Sequence, residues 1–233
     1  MRRGGRRVLD LFDFRPEIIW DYRELFIRGV YYTLILSIAG VAIGLVIGLF
    51  AGMAKLSRRP WLRIPAVVYI EFFRGTPLFV QILLIHFAVL PTLLGKAQSP
   101  IVSGIVALAV NSGAYIAEIF RAGIQSIARG QMEAARSLGL SHAQAMRYVI
   151  LPQALRRMIP PLGNEFLIVL KDSSLLSAIA VPELANAGRI VNGALQRPWE
   201  AFLTVLVLYL LLSLLLSALI HRLEGRLTAG RSG

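Results

Sequence analysis

The chain has 233 residues, 56 % of them hydrophobic, with a mean hydropathy of +0.66 and a formal charge of +12. That composition excludes an ordinary soluble globule, and the length allows one membrane domain with no sizeable soluble domain beside it. The charge does not mark a nucleic-acid partner, because the basic residues flank apolar runs instead of forming one patch. Cysteine is absent, and His86, His142 and His221 are too scattered for metal ligation.

Residues 1–28 read as a retained interfacial tail. Asp10, Asp13, Glu17, Asp21 and Glu24 interrupt any signal-peptide core. Phe12, Phe14, Ile18, Ile19, Trp20, Leu25 and Phe26 supply an apolar face instead. A membrane domain over 29–223 follows, all-α, with five predicted spans. The first, about 29–53, carries Gly40, Gly44, Gly48 and Gly52 on one face, where a neighbouring helix can approach closely. The second, about 65–94, is kinked at Gly75-Thr76-Pro77, since proline removes a helical hydrogen bond. The third covers about 101–121, and a polar loop over 122–158 follows it. The fourth covers about 159–181. Residues 182–198 hold Glu183, Asn186, Arg189, Asn192 and Arg197, so they read as an external or interfacial helix and not a sixth span. The fifth, about 199–220, opens on Trp199 and closes on His221 and Arg222, before a cytoplasmic tail over 224–233.

Arginine and lysine set the orientation. Lys55, Arg58, Arg59 and Arg63 follow the first span, six arginines from Arg121 to Arg157 surround the long loop, and Arg222, Arg226 and Arg231 follow the last span. These regions are expected inside, with Met1 outside and Gly233 inside. The seven arginines from Arg2 to Arg28 run against that assignment.

Several polar residues fall within the spans. Glu71 and Arg74, three apart, are placed for an ion pair. Gln81, Asn111 and Ser112 either bond across to another helix or line a path. Lys171 lies about 15 residues beyond Arg156 and Arg157, on the order of 20 Å along a helix axis. A charge at that depth costs about 2.5–3.5 kcal/mol, so such residues face a cavity or a partner. Glu165 and Asp172, seven apart, share one helical face. If both face a path, two carboxylates there favour a basic amino acid, with glutamine or glutamate as the alternative.

The loop carries the most specific pattern. Gly130 is placed as an N-cap with Glu133 at the third helical position. Ala134 and Ala135 are small and helix-favouring, so a partner surface can approach this exposed face closely. Gly139 is placed for a left-handed stop. Ser141 and Gln144 then form a capping box that starts a second helix. Glu133-Ala134-Ala135, Gly139 and Leu151-Pro152 resemble the cytoplasmic loop of bacterial ABC import permeases, with Val149 where that family prefers isoleucine. The stretches Glu71-Phe72-Phe73-Arg74-Gly75-Thr76-Pro77-Leu78, Asn111-Ser112-Gly113-Ala114-Tyr115-Ile116-Ala117-Glu118-Ile119 and Lys171-Asp172-Ser173-Ser174-Leu175 resemble the polar amino acid branch of that family.

The resemblance implies a type I ABC importer transmembrane domain in a bacterial inner membrane. It implies a dimer of cytoplasmic ATPases, a second permease that is a copy or a paralogue, an external solute-binding protein and a polar or basic amino acid substrate. ATP and magnesium would bind the ATPase and no cofactor this chain, which has no Gly-x-x-x-x-Gly-Lys-Ser/Thr loop and is not expected to be an enzyme. Glu133, Ala134, Ala135 and Gly139 would couple to the ATPase, with alternating access switching the cavity between sides. Asn164, Glu165, Asp172, Gln81 and Asn111 are the candidates for the substrate path. Two rival readings are a stand-alone proton-coupled carrier titrating Glu165 or Asp172 and a membrane anchor for an enzyme complex.

Overall fold

The computed structural model describes residues 14–229, with side chains described through Arg222. Residues 1–13, including Phe12 of the tail, and residues 230–233 lie outside the described part. Eleven α-helices occur among the described residues. They are α1 (Pro16–Asp21), α2 (Arg23–Leu56), α3 (Pro60–Gly75), α4 (Leu78–Leu84), α5 (Leu90–Leu94), α6 (Pro100–Gln125), α7 (Arg129–Ser137), α8 (His142–Ala145), α9 (Leu151–Asp172), α10 (Leu184–Leu195) and α11 (Pro198–Ala229). The wider turns Ile85–Val89 and Met146–Ile150 join α4 to α5 and α8 to α9, and a 3-10 segment, Ser173–Ile179, follows α9.

The most extensive helix contact is that of α2 with α6, and the glycine face makes it possible. Gly40, Gly44, Gly48 and Gly52 are all buried. A Cβ at Gly48 would lie 2.6 Å from Ile116 Cγ2 and 2.9 Å from the Gly113 carbonyl, and one at Gly52 would lie 2.9 Å from the Ala117 carbonyl. The two backbones therefore touch, as small residues allow between membrane helices.

The second apolar stretch is broken, not kinked. It starts at Pro60, five residues before its predicted start, and Thr76 and Pro77 are extended. Residues Pro60–Gly75 and Leu78–Leu94 meet at 109°. Such a break strands backbone carbonyls, which need partners where water is scarce. Gln81 Nε2 lies 2.9 Å from the Phe73 carbonyl and 3.0 Å from that of Thr76. Asn111 Nδ2 on α6 donates to Gln81 Oε1 at 2.8 Å. Tyr69 adds a second strut, donating to the Val110 carbonyl at 2.6 Å.

Among the described residues, α2, α6 and α11 are each long and apolar enough to cross a membrane, and the bent pair passes as a fourth span if taken together. Helix α9, with 22 residues, does not qualify on apolarity, because it carries Arg156, Arg157, Glu165, Lys171 and Asp172. Between the last spans, Glu183 caps α10, accepting from the amides of Ala185 and Asn186 at 2.7 Å and from the Tyr209 hydroxyl at 2.8 Å. Burial raises its carboxyl to about 7, although these hydrogen bonds favour the ionised form. Thr33 Oγ1 accepts from the amide of Leu184, so α2, α10 and α11 meet at one polar joint inside an apolar cluster.

Candidate functional site

Helix α7 and its turn form the first candidate site. The N-cap is Ala128, and Gly130 is the second helical residue, so Glu133 stands at the fifth position. The predicted N-cap at Gly130 is thus displaced by two residues, because the chain turns into the helix without a side-chain cap. The far end follows the expected pattern. Gly139 has φ +84°, its amide donates to the Arg136 carbonyl at 3.0 Å, and the Leu140 amide donates to the Ala135 carbonyl at 3.3 Å. That pair of bonds is a Schellman stop. Ser141 and Gln144 form the capping box, with bonds of 2.9 and 3.3 Å.

Helix α7 packs on the turn Met146–Ile150. Ala135 faces inward, at 4 % exposure, in contrast to the exposed position its sequence context predicts. Glu133 and Ala134 stay exposed, and Leu138 is 84 % exposed. Gly130, Ala134 and Leu138, four apart, make one outer stripe. Leu138 was missed in the sequence, although an apolar residue in so polar a loop was its signal.

The second candidate is a cavity of about 550 Å³ between α6 and α9, reached by Arg74 from α3. Glu118 organises its charged wall. Its Oε1 lies 2.6 Å from Lys55 Nζ, and its Oε2 lies 2.7 Å from Arg121 Nη2 and 3.9 Å from Arg74 Nη1. The expected pair of Glu71 with Arg74 is replaced by tertiary partners, since Glu71 lies 3.4 Å from Lys55. Arg74 also stacks over Tyr115, and Arg157 donates to the Ser126 carbonyl at 2.6 Å.

Asn164 and Glu165 line the other end of the same cavity. Glu165 is 5 % exposed, and among the described residues nothing hydrogen-bonds to its carboxylate. Asp172 is half-buried at the end of α9 and is not on this cavity wall. Gln81 and Asn111 are not on it either, being engaged in the clamp across the broken helix. The cavity thus unites two of the five path candidates, Asn164 and Glu165.

The cavity thus joins a charged wall around Glu118 to one unpartnered carboxylate, Glu165, within a bundle of apolar helices. The family of binding-protein-dependent transport system inner membrane components matches residues 44–229. The chain belongs to this family. The permease is 44 % identical over 209 residues to the glutamine transport system permease protein GlnP of Escherichia coli (strain K12), covering 90 % of this chain and 95 % of that one. It is 35 % identical over 207 residues to the octopine transport system permease protein OccM of Rhizobium meliloti, covering 86 % and 84 %. Among solved structures, a chain of an amino acid ABC transporter crystallised with histidines matches at TM-score 0.87 and 41 % identity, over 92 % of the permease and all of that chain. A chain of the inward-facing methionine ABC transporter MetNI matches at TM-score 0.78 and 23 % identity, a likeness of fold alone. The fold is the type I importer transmembrane domain.

Proposed function

We propose that the permease passes a polar, glutamine-like amino acid through the Glu165 cavity, driven by an ATPase that docks on α7. It is the membrane subunit of a binding-protein-dependent ABC amino acid importer and not an enzyme; ATP is bound and hydrolysed by a separate subunit. The comparisons lend no support to a stand-alone proton-coupled carrier. Magnesium belongs with the ATP, and the second permease, a copy or a paralogue, completes the path.

The observation that carries the substrate reading is the single open carboxylate. Glu165 offers one anionic partner for an α-ammonium group, while Arg74, 3.9 Å from Glu118, and Arg157 line the same cavity and can turn to an α-carboxylate. A basic side chain would need a second open carboxylate. Asp172 lies off the cavity and Glu118 is occupied by its cations. The glutamine permease among the relatives supports the same choice. Losing a hydrogen bond to a charged group costs about 1.5–3 kcal/mol, or roughly 10- to 150-fold. In vesicles holding the ATPase and binding protein, Glu165→Gln is expected to lower glutamine uptake by that factor with ATPase association intact. Unchanged uptake would return Glu165 to a structural role.

Membrane topology follows from the basic loops. Five spans with 29–223 as the membrane domain place the 122–158 loop and the C-terminus in the cytoplasm and Met1 outside; Met1 and Gly233 lie outside the described residues. The chain has no cysteine, so single introduced cysteines report without background. In intact cells an impermeant maleimide is expected to label a cysteine at Gln98 and spare those at Ser57 and Ser141. Equal labelling of Gln98 and Ser57 would refute the five-span map.

A further inference from the structure

Helix α1 and the first turns of α2 and α11 enclose a second cavity, of about 270 Å³, remote in sequence from the transport residues. Ile19, Phe26, Ile27, Val30 and Leu208 make its walls apolar, and Arg23 is the charged group on its lining. The hydroxyl of Thr204, which also lines it, is spent on the Glu200 carbonyl at 2.6 Å. Two exposed tryptophans, Trp20 near the end of α1 and Trp199 at the start of α11, flank it. Aromatic rings of this kind gather at the level of lipid headgroups.

Arg23 is held in place at that level. Its Nη1 donates to the Trp20 carbonyl at 2.8 Å, and the guanidinium stacks over the Trp20 ring at 4.9 Å. A guanidinium carries five N–H donors, and among the described residues the Trp20 carbonyl is the one acceptor bonded to Arg23. A pre-positioned fork of open donors suits an oxyanion such as a phosphodiester. A peptide would bring backbone groups needing partners, and the apolar wall has none to give. An acyl chain needs none.

We propose that this cleft binds one phospholipid, with an acyl chain between α2 and α11 and its phosphodiester on Arg23. The nearby carboxylates Glu17, Asp21 and Glu24 balance Arg15, Arg23 and Arg28. The recognised chemistry is therefore the phosphodiester shared by zwitterionic and acidic lipids, not net charge.

The test is native mass spectrometry of the full-length chain, purified in detergent and offered dioleoyl phosphatidylethanolamine, dioleoyl phosphatidylglycerol or dioleoylglycerol. Both phospholipids are expected to be retained one per chain, at least tenfold over dioleoylglycerol. Arg23→Gln, an exposed position that leaves the core intact, is expected to bring them down to the dioleoylglycerol level. Val30→Trp, which fills the cleft, is expected to lower retention of all three. Equal retention of dioleoylglycerol by the unaltered chain, retention of phosphatidylglycerol alone, or undiminished retention by Arg23→Gln would each overturn the assignment.

Discussion

Gly48→Leu is expected to abolish recovery of folded permease. The side chain would start 2.6 Å from Ile116 Cγ2 and 2.9 Å from the Gly113 carbonyl. The second contact is backbone, so no rotamer relieves it. Overpacking a core costs about 1–3 kcal/mol when neighbours can shift; here α2 and α6 would have to separate along their main interface. Gly48→Ala should already lower the thermal midpoint, and Gly48→Leu should give no monodisperse protein in detergent. A Cβ at Gly193 on α10 would meet no atom within 4 Å. Gly193→Ala is therefore the control, expected to be neutral or slightly stabilising. Recovery of Gly48→Leu at the unaltered yield would disprove close backbone packing there.

The second large effect belongs to Leu138→Asp. A side chain 84 % exposed at the C-cap of α7 adds little to the isolated fold. Buried against an ATPase, a leucine is worth about 1.5–3 kcal/mol, and an unpaired aspartate in its place costs more. ATPase co-purification and ATP-driven uptake are expected to fall at least tenfold while the thermal midpoint of the permease holds. Ala134→Trp, on the same stripe, should act alike. Ala135→Trp should instead destabilise the permease, because Ala135 is buried. Normal ATPase recovery with Leu138→Asp would move the docking surface off this stripe.

The contrast between Ala134 and Ala135 shows where sequence reasoning ran out. Local signals were legible: the four-residue glycine period, the Gly139 stop and the Ser141 capping box all depend on a residue and its near neighbours, and so does the place of the interruption at Gly75-Thr76-Pro77, though it was expected as a kink and is a break. Which face of α7 turns inward depends on the distant turn Met146–Ile150. The same limit explains Glu71 and Arg74. Their spacing made them plausible partners, but Lys55 on α2 and Glu118 on α6 stand nearer. Proline announced a lost hydrogen bond, yet the 109° angle is set by what Gln81 and Asn111 hold together. The cavity was half legible for a related reason. Seven-residue spacing put Glu165 and Asp172 on one face, but which residues line a cavity depends on the neighbouring helices, and Glu165 lines this one while Asp172 does not.

The Gln81–Asn111 bond also orders the birth of the protein. Residues of α3 and α4 are synthesised before α6, so the broken segment exists for a time without Asn111. During that interval the Gln81 carbonyl lacks its α6 donor, and an unsatisfied polar group in hydrocarbon costs several kcal/mol. The nascent segment is thus poorly suited to lipid until the following helix is made, and it has reason to wait beside water or the insertion machinery. In a released chain cut short after Gly95, single cysteines placed within residues 78–90 should react with a water-soluble maleimide, whereas in a chain that runs beyond Gln125 they should be protected.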